Sequence, residues 1–88
     1  MTRVRVYTAS YCSFCRLAKN LLSRKGIPFD EIDVTSDTEV RERLVRDTGR
    51  RTVPQVFIDG KPIGGLDELR ILDEQGELES LVRSETGD

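Results

Sequence analysis

Cys12-Ser13-Phe14-Cys15 stands where an alternating, β-rich run (Val4-Arg-Val-Tyr-Thr) gives way to a helical stripe of apolar residues, and it constrains the chain more than any other feature. These are the only cysteines. Three positions apart, they close too small a loop to brace a fold. The domain is therefore held by an apolar core, which a single unit of 88 residues is long enough to build.

From Ser13 to Lys25, Leu17 with Leu21 and Ala18 with Leu22 recur at i, i+4, one buried helical face. Ser10 is placed to cap the preceding turn. Gly26 supplies a left-handed end and Pro28 blocks resumption. Phe29-Asp-Glu-Ile-Asp-Val reads as a second strand, so the first two strands are expected to be parallel with a right-handed crossover. Ser36-Asp-Thr-Glu39 has capping-box form and opens a helix that turns Val40 and Leu44 inward and closes at Gly49. Gln55–Ile58 is a third strand. Asp59-Gly60 is a hairpin turn, and Lys61–Gly64 an antiparallel fourth strand that Pro62 confines to an edge. Leu66, Leu69, Ile71 and Leu72 indicate a helix to about Glu74, and Leu78, Leu81 and Val82 a short last one after Gly76. Residues 84–88 read as a polar, frayed tail. The order describes one α/β domain over residues 1–88.

The net charge of −2 argues against general nucleic-acid affinity. Residues 1–29 nonetheless hold Arg3, Arg5, Arg16, Lys19, Arg24 and Lys25 and no acidic residue, while all 16 carboxylates follow from Asp30 onward. The half with the cysteines is electropositive, which favours a thiolate and an anionic thiol substrate. Charges break the apolar run at the start, so no membrane span or signal peptide is expected there. A reducing compartment, the cytoplasm, is the expected location.

A cysteine just before a first helical turn has its sulfur beside unpaired backbone N–H groups and the positive end of the helix dipole, and both favour the charged form. Lower basicity also costs nucleophilicity, so the larger gain is in departure: such a sulfur leaves readily when a second thiol attacks its mixed disulfide. Cys12 is the expected nucleophile and Cys15, one turn on and more enclosed, the resolving thiol. Zinc usually takes four ligands, and with no histidine and no second cysteine pair no metal is expected in the monomer. Tyr11 suits a wall of the site, whereas Tyr7 and Phe14 fit either a wall or the core. Arg50-Arg51 suits a substrate carboxylate or plain solvation, and Asp67-Glu68 suits ordinary helix N-terminal charge.

Tyr7-Thr8 with Cys12-Ser-Phe-Cys15, then Thr52-Val53-Pro54-Gln55-Val-Phe-Ile, then Gly64-Gly65-Leu66-Asp67 resembles the glutaredoxin family over roughly residues 3–82. The resemblance implies a thioredoxin-like fold, a four-stranded mixed sheet flanked by three to four helices, with a cis peptide before Pro54. It implies a monomeric thiol–disulfide oxidoreductase that takes electrons from glutathione and acts on disulfide-containing or glutathionylated proteins. It further implies a glutathione site formed by Tyr11, Phe14, Arg51, Thr52, Val53, Pro54, Gly65, Leu66 and Asp67. In it, Val53 would pair with the cysteinyl backbone, the amides after Gly65 would receive the γ-glutamyl carboxylate, and Asp67 its ammonium.

Two positions depart from the family pattern. Ala9 stands where many members have a basic residue for the glycyl carboxylate, leaving Arg51, Arg50 or Arg16 to compensate. Ser13-Phe14 replaces the common Pro-Tyr; members without that proline are those in which a [2Fe-2S] cluster, bridged by Cys12 thiolates of two subunits and two glutathiones, is plausible. A cluster carrier, and a redoxin reduced by thioredoxin reductase that serves ribonucleotide reductase, are the alternative readings.

Overall fold

The computed structural model describes residues 4–84. The elements run β1 (Val4–Thr8), α1 (Ser13–Arg24), β2 (Asp30–Asp33), α2 (Thr38–Thr48), β3 (Gln55–Ile58), β4 (Lys61–Gly64), α3 (Leu66–Glu74) and α4 (Leu78–Ser84). The sequence pattern predicts a first strand over residues 3–8; its Arg3, and 85–88 of the expected tail, lie outside the described residues.

The strands form one mixed sheet in the order β2-β1-β3-β4. β1 and β2 are parallel with Arg5 opposite Asp30, while β3 is antiparallel to both β1 and β4. Asp59 at φ 55 and Gly60 at φ 83 form the hairpin turn between β3 and β4. Pro62, which lacks an N–H, sits on the edge strand as the sequence requires.

Strand alternation divides the packing into two layers. Val4, Val6, Val56 and Ile58 face α1, α3 and α4, whose Ala18, Leu22, Leu69 and Leu78 complete the main core. Full burial of a leucine such as Leu22, Leu69 or Leu78 contributes about 2 kcal/mol. The opposite face carries Tyr7 and Phe57, whose rings meet edge to face at 5.4 Å, and Leu44 of α2 lines the same groove. Tyr7 therefore belongs to this second layer and not to the wall of the cysteine site.

Cys12 caps α1 with its own side chain, while Ser10, in the turn before it, donates its N–H to Thr35 Oγ1 at 2.8 Å in the loop that follows β2. Local expectations are corrected at two points. Asp37, not Ser36, caps α2 and accepts the Val40 N–H at 3.1 Å. Leu17 is 42% exposed, so it does not belong to the buried stripe assigned to it.

Candidate active site

α1 begins without a capping oxygen. Cys12 holds an extended backbone (φ −102, ψ 107), and its Sγ takes the cap position, accepting the Cys15 N–H at 3.0 Å. The first turn contains no acidic residue, so this sulfur alone answers the positive end of the helix. As a thiol, Cys12 also donates to the Val53 carbonyl at 3.4 Å. Loss of that proton keeps the amide bond and releases the carbonyl.

Both cysteines are free; Cys12 is partly exposed, whereas Cys15 is 2% exposed. Burial, reinforced by a hydrogen bond with the Cys12 side chain, pushes the Cys15 thiol up to about 12, against smaller opposing effects from the Ala9 backbone and Lys19. Cys15 is thus protonated at neutral pH, directly beneath the exposed sulfur.

Three contacts hold the loop between β1 and α1. Thr8, buried at the end of β1, donates to Glu31 Oε2 at 2.7 Å, and Lys19 of α1 meets the same oxygen at 3.0 Å. The Thr8 hydroxyl, then Lys19, holds the Glu31 carboxyl below its usual range. The Cys12 N–H donates to the Ala9 carbonyl at 3.2 Å.

The Thr52–Pro54 segment is pinned from behind by Gln55, 1% exposed, whose amide donates to the Thr52 carbonyl at 2.8 Å. The Val53–Pro54 peptide is cis, in agreement with the resemblance. A Cβ at Gly65 would lie 3.1 Å from the Pro54 carbonyl, so glycine there lets the start of α3 approach this segment closely. At Gly64, with φ 123, a Cβ would lie only 2.7 Å from Glu68 Cγ. Glu68 accepts the Gly65 N–H at 2.7 Å and grips the Arg50 guanidinium through both oxygens, at 3.3 and 3.1 Å. That arginine, then the Gly65 amide, lowers the Glu68 carboxyl to about 2. The N–H groups of Leu66 and Asp67, first in α3, have no intrahelical carbonyl to reach.

Two adjoining clefts result. One of about 330 Å³ contains Cys12, Tyr11, Phe14, Arg51, Thr52 and Val53. The other, about 320 Å³, shares Phe14, Thr52 and Val53 and adds Pro54, Gly65, Leu66 and Asp67. Every residue assigned to a glutathione site from the sequence therefore lines one or both clefts. Phe14 is 60% exposed, which places it on the wall and not in the core.

Of the candidates to offset Ala9, Arg51 lines the cysteine cleft, Arg50 is engaged by Glu68, and Arg16 lines neither cleft. Ala9 itself is 5% exposed. The sequence reading missed Arg41, which lines the cysteine cleft and donates to the Tyr11 hydroxyl at 3.0 Å. Its signal was the parallel pairing of β1 and β2, which brings the starts of α1 and α2 to one sheet edge.

Among the described residues, no group of three or more His, Cys, Asp or Glu side chains is placed to hold a metal ion, and no helix is long and apolar enough to cross a membrane.

Comparison with known proteins agrees with this geometry. A family model described as Glutaredoxin matches residues 4–63. The chain is 43% identical over 83 residues to Glutaredoxin 3 of Escherichia coli K12, covering 94% of this chain and 100% of that one. It is 42% identical over 82 residues to a glutaredoxin of Pseudomonas aeruginosa, covering 93% and 98%. The crystal structure of a buckwheat glutaredoxin–glutathione complex superposes with a TM-score of 0.88 at 30% identity, covering 93% of this chain and 77% of that one.

Proposed function

This chain belongs to the glutaredoxin family and is a thiol–disulfide oxidoreductase, and we propose that it reduces protein disulfides and glutathione mixed disulfides in the cytoplasm, as a monomer, with glutathione as reductant. One observation carries the reading: Cys12 Sγ lies between the Cys15 amide and the Val53 carbonyl, on the cleft wall, with the protonated Cys15 buried beneath it. The buckwheat relative, whose fold this chain shares, is seen in complex with glutathione.

In this reading, the cysteinyl backbone of glutathione pairs with Val53, whose carbonyl is free once Cys12 is ionised. Its γ-glutamyl carboxylate meets the Leu66 and Asp67 amides, its ammonium meets the Asp67 carboxylate, and its glycyl carboxylate meets Arg51 and Arg41. The Cys12 thiolate attacks the glutathionyl sulfur of a mixed disulfide. A Cys12–glutathione disulfide forms, the original S–S bond breaks, and the protein thiolate leaves and is protonated. A second glutathione thiolate then attacks the bound glutathionyl sulfur, releasing oxidised glutathione and restoring Cys12. With a protein disulfide, the Cys12 thiolate first displaces one substrate sulfur to form a mixed disulfide; Cys15 then gives up its proton and attacks the Cys12 sulfur, breaking that bond and releasing the substrate as a dithiol. Two glutathiones then reduce the Cys12–Cys15 disulfide.

The test supplies NADPH with either glutathione and glutathione reductase, or thioredoxin reductase alone. Regeneration of the reduced protein by the glutathione system is expected; regeneration only by thioredoxin reductase overturns the choice of reductant.

A further inference from the structure

We infer that the groove between α1 and α3 docks the polypeptide of a protein disulfide substrate and selects a segment that combines an acidic with an apolar side chain near the attacked cysteine. This rests on the exchange chemistry assigned above to Cys12. The groove, about 530 Å³, is lined by Leu17, Asn20 and Arg24 from α1 and by Leu66 and Arg70 from α3. Leu66 and Arg70 also line the cleft that begins at Pro54 and Gly65, so the groove adjoins that cleft, which in turn adjoins the one that holds Cys12.

The proposed glutathione site ends at the first turn of α3. The groove continues from there to Glu74, about 10 Å further along the helix axis. A tripeptide anchored at Asp67 does not fill that length, whereas a polypeptide paired with Val53 has residues to place in it.

The chemistry of the groove names the kind of residue. Leu17 follows Phe14 by three positions on α1 and is 42% exposed, so it extends the apolar wall of the cysteine site into the groove. Exposed apolar side chains that adjoin one another on one face mark a contact surface. The side chains of Arg24 and Arg70 make no hydrogen bond or ion pair with another described residue, unlike those of Arg41 and Arg50. At the far end Asp73 is taken by Lys25 at 2.8 Å, which leaves Glu74 as the opposing charge. The unpaired balance is positive, so the complementary segment is acidic.

Two cyclic disulfide peptides that differ only in a Leu-Glu or a Ser-Gln flank test the inference, alongside the small glutathione–cysteamine mixed disulfide. The wild-type protein is expected to show about tenfold higher kcat/KM for the Leu-Glu peptide. The Leu17→Gln/Arg24→Gln variant is expected to bring that ratio near one while turning over the small disulfide at the wild-type rate. An unreactive Leu-Glu peptide with serines for cysteines is expected to shift the amide signals of Leu17, Asn20, Arg24 and Arg70. Equal rates for both peptides in the wild type, a preference that survives in the variant, or a matching loss with the small disulfide overturns the inference. So does the same set of shifts produced by raising the protein's own concentration, which makes the groove a contact between copies. If the wild type turns over no disulfide at all, the proposed function fails, and the amide shifts alone decide whether the groove binds.

Discussion

The backbone N–H of Cys15 donates to Cys12 Sγ across 3.0 Å, so the residue that supplies the second thiol also supplies the amide that caps the first. The two sulfurs differ in environment: one faces the cleft at a helix start, and the other is 2% exposed and held protonated.

Selective alkylation should report this difference. Iodoacetamide at pH 7, followed by peptide mass mapping, is expected to label Cys12 and to leave Cys15 unmodified until the protein is unfolded. Comparable labelling of both in the folded protein would contradict the assignment of Cys15 as enclosed.

Arg41 and Arg51 share the wall of the cysteine cleft. Arg41→Leu and Arg51→Leu are each expected to raise the KM for glutathione about threefold to tenfold with little change in kcat, an effect that weakens with added salt. A fall in kcat at unchanged KM would place these arginines elsewhere in the reaction.

Glu68 links Arg50 to the start of α3, with its carboxyl lowered to about 2 from an ordinary 4.5. A lowered folded value means that the stabilisation is fully present above about 4.5 and is lost as the pH falls toward 2. Both partners are more than a third exposed, so solvent screening keeps the effect small. Thermal unfolding between pH 5 and pH 2 is expected to show this loss in the wild type and a flatter curve in Glu68→Gln, which keeps an acceptor for the Gly65 amide. Parallel curves would remove Glu68 from the acid response.

Gly64→Ala should disturb the same corner. At φ 123 an alanine is strained, and its Cβ would meet Glu68 Cγ at 2.7 Å. A loss of about 1–3 kcal/mol in denaturant unfolding is expected, and a neutral substitution would show that the corner relaxes freely.

How far the sequence could be read depended on the range of each interaction. The Asp59-Gly60 hairpin, the Gly26 and Gly49 helix ends and the Pro62 edge strand were legible because turn chemistry and a missing N–H act locally. The place of Cys12 at the start of α1 was legible for the same reason, since a cysteine beside a helix start is a local feature. Cap positions slipped where adjacent residues compete, as Ser36 does with Asp37. Leu17 fits an apolar period but faces outward, and a period cannot tell a core position from one beside a cleft. Arg50 stayed open because its partner Glu68 is 18 residues away, and Arg41 was passed over because its partner Tyr11 is 30 away.

The most direct measurement is turnover of a glutathione mixed disulfide, coupled to NADPH oxidation through glutathione reductase, in Cys12→Ser and Cys15→Ser. The expected result is no activity above background for Cys12→Ser and retention of much of the wild-type rate for Cys15→Ser. Wild-type turnover by Cys12→Ser would contradict the assignment of Cys12 as the attacking sulfur.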